Sequence, residues 1–185
     1  MIARVAGNII YKGIDHLVVE TGGIGYKVAV VSDVIASTAI AEPIQLFTQL
    51  VVREDSQSLY GFLSPGELEL FNLLIGVSGV GPRIAMAILS AGKVEELRMA
   101  IGSGDNAIFT AVSGIGKKTG ERIVLELKSK IADVGFVESS NNSEEVIRAL
   151  SGLGYNMYEI RSALRQISPE LELEDKVKQA LKLLG

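Results

Sequence analysis

A chain of 185 residues, 48% hydrophobic and 22% charged, has an ordinary globular composition with room for one large domain or two to three small ones. It has no cysteine and a single histidine, His16, which excludes disulfides, thiolate metal sites and cysteine nucleophiles and argues against histidine clusters or a Ser-His-Asp triad. A net charge of −4 argues against a general polyanion binder, although residues 64–135 balance eight Lys/Arg against eight Asp/Glu and leave the deficit to the rest of the chain. No apolar run reaches bilayer length and the N-terminus lacks an uninterrupted signal-peptide core, so a cytoplasmic protein without membrane contact is expected.

Residues 1–63 read as β. Ile2–Ile10, Ile14–Glu20, Tyr26–Val31, Ile44–Val52 and Ser58–Phe62 are short, apolar and bounded by turn residues, and Ser32–Ala41 has room for a short helix. Five strands with that insertion predict an OB-type barrel, with an SH3-like barrel as the competitor that periodicity does not exclude. His16 falls within a strand and reads as structural. Between the fourth and fifth strands, Arg53-Glu54-Asp55-Ser56-Gln57 forms a turn with two adjacent carboxylates. It is either a solvated hairpin tip or a device that repels phosphates; the residues alone favour the tip.

Residues 64–135 read as all-α. Ser64-Pro65-Gly66-Glu67 combines an N-cap serine, proline at the first helical position and glutamate at the third. Helices are predicted near 65–76, 82–90, 93–101, 106–112 and 117–132, with Asp105 capping the fourth. Ala85, Ile88 and Leu89, like Ile123, Val124 and Leu127, mark the packed faces. Two turns stand out. Val77-Ser78-Gly79-Val80-Gly81 recurs 35 residues later as Val112-Ser113-Gly114-Ile115-Gly116, each between two helices. Glycines there permit positive φ and close approach to a ligand, and the N–H groups just beyond them lack intrahelical partners at the positive end of a helix dipole. With Arg83, Lys117, Lys118 and Arg122 alongside, this is a tandem helix-hairpin-helix pattern that grips nucleic-acid backbone without reading bases.

Gly135–Asn142 is polar at its end and aperiodic, which predicts a linker over residues 136–142. Residues 143–185 predict a small three-helix bundle: Ser143 starts one helix, Asn156 with Glu159 caps the second, and Ser168-Pro169 precedes the third. Ile160, Ala163, Leu164 and Ile167 form one apolar stripe, and Val177, Ala180, Leu181 and Leu184 form another. Leu153 and Tyr155, at the turn between the first two helices, are candidate partner contacts.

Several motifs are decoys. Gly116-Lys117-Lys118-Thr119 lacks the earlier glycine and the preceding strand of a P-loop, since Ala111 and Lys118 occupy the diagnostic places. Gly114-x-Gly116-x-x-x-Gly120 has the wrong spacing for a dinucleotide fingerprint. A DNA glycosylase/lyase would use a lysine such as Lys118 and an aspartate such as Asp133, but the large helical body that forms a base pocket is missing. A generic duplex-binding adaptor is the other alternative. No catalytic residue, cofactor or metal is predicted.

Met1-Ile2-Ala3-Arg4-Val5, the run Val51–Asp55 followed by Leu59-Tyr60-Gly61-Phe62, the two glycine hairpins through Pro82 and Thr119, and Ala149-Leu150-x-x-Leu153-Gly154-Tyr155 together resemble the RuvA family. Its members are the DNA-binding subunits of the bacterial Holliday-junction branch-migration complex. The resemblance covers essentially the whole chain. It implies a flat homotetramer that holds four-way junction DNA open and square, with the hairpins on the backbone of each arm. It implies that Glu54 and Asp55 are an acidic pin at the centre, which reverses the reading from the residues alone. It further implies that residues 143–185 recruit the RuvB hexameric ATPase, with the RuvC resolvase as a further partner. Two departures are visible: a short linker, and Gly120 where alanine is more usual, at about 1 kcal/mol of helix propensity.

Overall fold

The structure, a computed structural model, describes residues 1–133, 141–155, 157–164, 166–168 and 171–184. They form two compact units, Met1–Ser129 and Lys130–Gly185.

The first unit begins with β1 (Arg4–Lys12), β2 (His16–Thr21), β3 (Ile24–Ala29), α1 (Ser32–Ser37), β4 (Pro43–Val52) and β5 (Gln57–Phe62). The strands close a barrel in the order β1-β2-β3-β5-β4. One long strand closes it: β1 pairs with β4 over Arg4–Asn8 and with β2 from Asn8 onward, with a register shift between Ile9 and Tyr11. The β3–β5 pair is parallel, Val28 opposite Leu59, and the chain reaches it by crossing over through α1 and β4. This Greek-key order is the OB arrangement, so the SH3-like alternative falls away. Alternate residues turn inward as the pleat requires: Ile9, Leu17, Val19, Val28 and Leu46 are completely buried, and Val5 and Leu59 join them in the core. The second connection is tighter than the sequence suggested. Gly22 and Gly23 both have positive φ and form a two-residue turn, so β3 begins at Ile24, opposite Thr21.

His16 has the structural role expected of it. Its ring lies over Gly13, where a Cβ would meet it at 2.3 Å, and its Nδ1 is 2.8 Å from Asp15 Oδ1. That hydrogen bond holds the Asp15 carboxyl below the usual aspartate range.

The barrel passes directly into helices α2 (Pro65–Ile75), α3 (Pro82–Leu89), α4 (Val94–Ser103), α5 (Ala107–Thr110) and α6 (Lys117–Asp133). Ser64 and Glu67 complete the predicted capping box: the Glu67 N–H donates to Ser64 Oγ, and the Ser64 N–H to Glu67 Oε2. The Phe71 ring of α2 then packs 4.9 Å from Phe62 and 5.1 Å from Tyr60 of β5. These aromatic contacts join the helices to the barrel wall. A 2.7 Å ion pair from Arg98 to Glu69 ties α4 to α2. Asp105 Oδ1 accepts from the Ala107 N–H and so caps α5, as expected, although from one residue before the formal N-cap Asn106.

Gly120 has a packing reason that its helix propensity hides. It is buried where α6 crosses α5, and a Cβ there would lie 2.7 Å from Thr110 Cγ2. A methyl cannot be added without moving Thr110, whose hydroxyl also donates to the Ala107 carbonyl. We expect Gly120→Ala to lower stability by about 1 kcal/mol despite its better propensity. Adding Thr110→Ser, which removes Cγ2 and keeps the hydroxyl, should turn the change into a gain. Urea melts of the three variants check both signs.

The described part of the second unit holds α7 (Asn141–Gly152), α8 (Met157–Leu164) and α9 (Leu173–Leu184) around Val146, Leu150, Ile160, Ala163, Ile167 and Ala180. Both predicted stripes contribute to this core, with Leu164, Val177, Leu181 and Leu184 at its margin. The predicted linker falls largely outside the described residues, which omit 134–140, and α7 already includes Asn141 and Asn142. The expected capping residue Asn156 and Pro169 also lie outside them. Among the described residues, no helix is long and apolar enough to cross a membrane.

Candidate nucleic-acid interface

The two glycine turns have the same backbone. In the first, the Val77 N–H donates to the Leu74 carbonyl, Val80 to Val77, and Ala85 to Gly81. In the second, Val112 donates to Phe109, Ile115 to Val112, and Gly120 to Gly116. Every bond recurs at the same offset of 35, at lengths of 3.0–3.1 Å. The leading glycines carry the strain, with φ of +89° at Gly79 and +93° at Gly114. A side chain there would be forced into the left-handed region. The trailing glycines need no such freedom: Gly81 has φ −85°, and a Cβ at Gly81 or Gly116 would meet nothing within 4 Å. Their lack of a side chain leaves the surface open instead. Val80 and Ile115, the residues between, are buried and anchor each turn from beneath.

The hairpins differ in what they offer. In the second, the N–H groups of Lys117, Lys118 and Thr119 all precede the first intrahelical bond of α6. In the first, Pro82 occupies the corresponding first position and has no N–H, leaving Arg83 and Ile84. Arg83 matches Lys118 in the repeat, while Lys117 has no cationic counterpart. Arg83, Lys117, Lys118 and Arg122 are all exposed. Arg83 also borders a groove between α3 and the barrel that includes His16, Lys27 and Tyr60.

Arg122, expected among the phosphate contacts, also makes a contact within the chain. Its Nη1 donates to the Ser78 carbonyl of the first hairpin at 3.2 Å, and its Nε lies 4.0 Å from Glu126 Oε1. This tie is not legible in the sequence, because nothing in the repeat marks a partner 44 residues away.

Glu54 and Asp55 stand at the exposed tip of the β4–β5 hairpin, which is closed by the Arg53 N–H on the Ser56 carbonyl at 2.8 Å. Ser56 Oγ lies 3.2 Å from Asp55 Oδ1. Neither carboxylate is ion-paired with a described residue, Arg53 included. In the second unit, Leu153 is 62% exposed, whereas Tyr155 is half-buried against the bundle core. Among the described residues, no cluster of His, Asp or Glu is arranged to hold a metal ion.

An OB-type barrel fused to duplicated Gly-x-Gly hairpins defines a class: tandem helix-hairpin-helix proteins that present paired backbone turns beside a β-barrel. Comparison with known proteins narrows this. Residues 1–61 match the model of the RuvA N-terminal domain, 71–129 a SAM-like helix-hairpin-helix tandem, and 141–185 the RuvA C-terminal domain. The chain is 41% identical to a Holliday junction branch migration complex subunit RuvA from Cupriavidus necator, over all of this chain and 99% of that protein. It is 43% identical to the protein of that name from Chloroflexus aggregans, with the same coverage, and 40% identical to that from Methylibium petroleiphilum over the whole of both chains. The chain belongs to the RuvA family.

Proposed function

We propose that this protein binds four-way junction DNA, holds it open and square, and presents it to a ring ATPase of the RuvB type for branch migration. The observation that carries the reading is the repeated hairpin: one turn geometry, twice, with open glycine surfaces and free helix N-termini, in a chain of the RuvA family. Backbone donors and the exposed cations Arg83, Lys117 and Lys118 grip phosphates through position and charge, which is indifferent to base sequence. The rest of the surface is acidic enough to discourage arbitrary duplex. Four chains acting together would place one hairpin pair on each arm and the Glu54–Asp55 tips at the crossover. The chain supplies binding and geometry, and ATP hydrolysis belongs to the partner. Leu153 is the best-exposed candidate contact for that motor, with Tyr155 supporting the turn beneath it. A RuvC-type resolvase would share the open junction.

A gel shift comparing a four-way junction with linear duplex of the same sequence tests this directly. The protein should retard the junction at concentrations that leave duplex free, with affinity falling as salt rises. Equal retardation of both would reduce it to a generic duplex binder. Leu153→Glu should leave the junction shift intact and abolish stimulation of the motor's branch migration; an unimpaired motor would remove Leu153 from the contact.

A further inference from the structure

Arg122 is the point at which the two hairpins meet, and it is not disposed like a free phosphate ligand. One guanidinium nitrogen is engaged by the Ser78 carbonyl, and the side chain is 49% exposed. Ser78 immediately precedes Gly79, the strained residue of the first turn. In the 35-residue repeat Arg122 corresponds to Ala87, whose methyl has nothing to donate. The tie therefore runs only one way, from the helix of the second hairpin to the turn of the first. The first is also the poorer grip, since Pro82 removes one N–H and no lysine matches Lys117. A planar, permanently charged fork suits this position. It holds direction where an ammonium on a flexible stem would not, and it covers the carbonyl's negative end.

We infer that Arg122 is a positioning residue for DNA binding, a cross-brace that fixes the first hairpin turn against α6 so that both turns meet one duplex in register. The inference rests on the reading of the hairpins as a backbone grip.

The brace has a signature in DNA-free protein. The Val80 N–H closes the first turn and the Ile115 N–H closes the second, so the two amides form an internal control. In Arg122→Met, hydrogen exchange at Val80 should accelerate about tenfold, with Ile115 unchanged, as expected for losing one charged-donor hydrogen bond. Junction affinity should fall by about tenfold, with the slope of log affinity against log salt close to wild type. In Lys118→Met the pattern should reverse: the slope shrinks by about 1 for each lost phosphate contact, and Val80 exchange is unaltered. Arg122→Lys keeps the charge without the planar fork and should still speed Val80 exchange. A slope change in Arg122→Met like that of Lys118→Met, with Val80 undisturbed, would overturn the brace. So would acceleration at both amides, or wild-type exchange and affinity in Arg122→Lys. If Lys118→Met and Gly116→Val both bound the junction normally, the grip reading would fall, while Val80 exchange would still decide the brace.

Discussion

Gly116→Val should weaken junction binding on the order of a hundredfold, while Lys117→Ala should cost about three- to tenfold. The difference follows from what each change removes. Lys117 contributes one exposed charge. In the proposed grip, a branched side chain at Gly116 would crowd a phosphate approaching the N–H groups of Lys117, Lys118 and Thr119, so that two or more charge-assisted hydrogen bonds would be lost together. At about 1.5–3 kcal/mol each, two such bonds reach or exceed a hundredfold. The fold should survive, because a Cβ at Gly116 meets nothing within 4 Å. Gly114→Val is the informative contrast. With φ at +93°, it should destabilise the protein itself by about 1–3 kcal/mol and lower the melting temperature. Anisotropy titrations paired with thermal melts separate the two effects. Wild-type junction affinity in Gly116→Val would remove the hairpin backbone from the interface.

Replacing Glu54 by Gln and Asp55 by Asn should move affinity the opposite way, raising it about tenfold for linear duplex and less for the junction. The two carboxylates are exposed at a hairpin tip without an ion-pair partner among the described residues, so their charge does little for the fold. In the proposed fourfold assembly, two carboxylates from each chain gather near the axis. Like charges about 4 Å apart repel by roughly 1 kcal/mol per pair even in water, and by more where solvent is excluded. A continuous duplex laid across that centre meets this repulsion, whereas the strands of a junction part around it. Selectivity is a difference of affinities, so removing the repulsive element relaxes it. The isosteric pair keeps size and hydrogen-bonding reach, which isolates charge. Unchanged or weaker duplex binding would return Glu54 and Asp55 to an ordinary solvated tip.

Much of this protein was legible in its sequence because the relevant physics is local. The capping box at Ser64 and Glu67 depends on residues three apart. The strands announce themselves as short apolar runs bounded by turn residues, the bundle helices by their stripes, and the duplicated hairpin by a five-residue pattern that needs glycine at fixed places. What the tertiary structure alone decided depends on residues distant in the chain. The OB order required the parallel Val28–Leu59 pairing, which periodicity within a strand does not encode. Gly120 looked like a lost increment of helix propensity until Thr110 was found against it. Tyr155 shared the exposed turn with Leu153 in sequence, yet it packs partly buried against the bundle core. Arg122 read as one more cation beside a hairpin, and only folding brings it to the Ser78 carbonyl. Local propensity selects the elements, but a side chain's partner is set by which elements cross, and burial and hydrogen bonding settle that only when the whole chain packs.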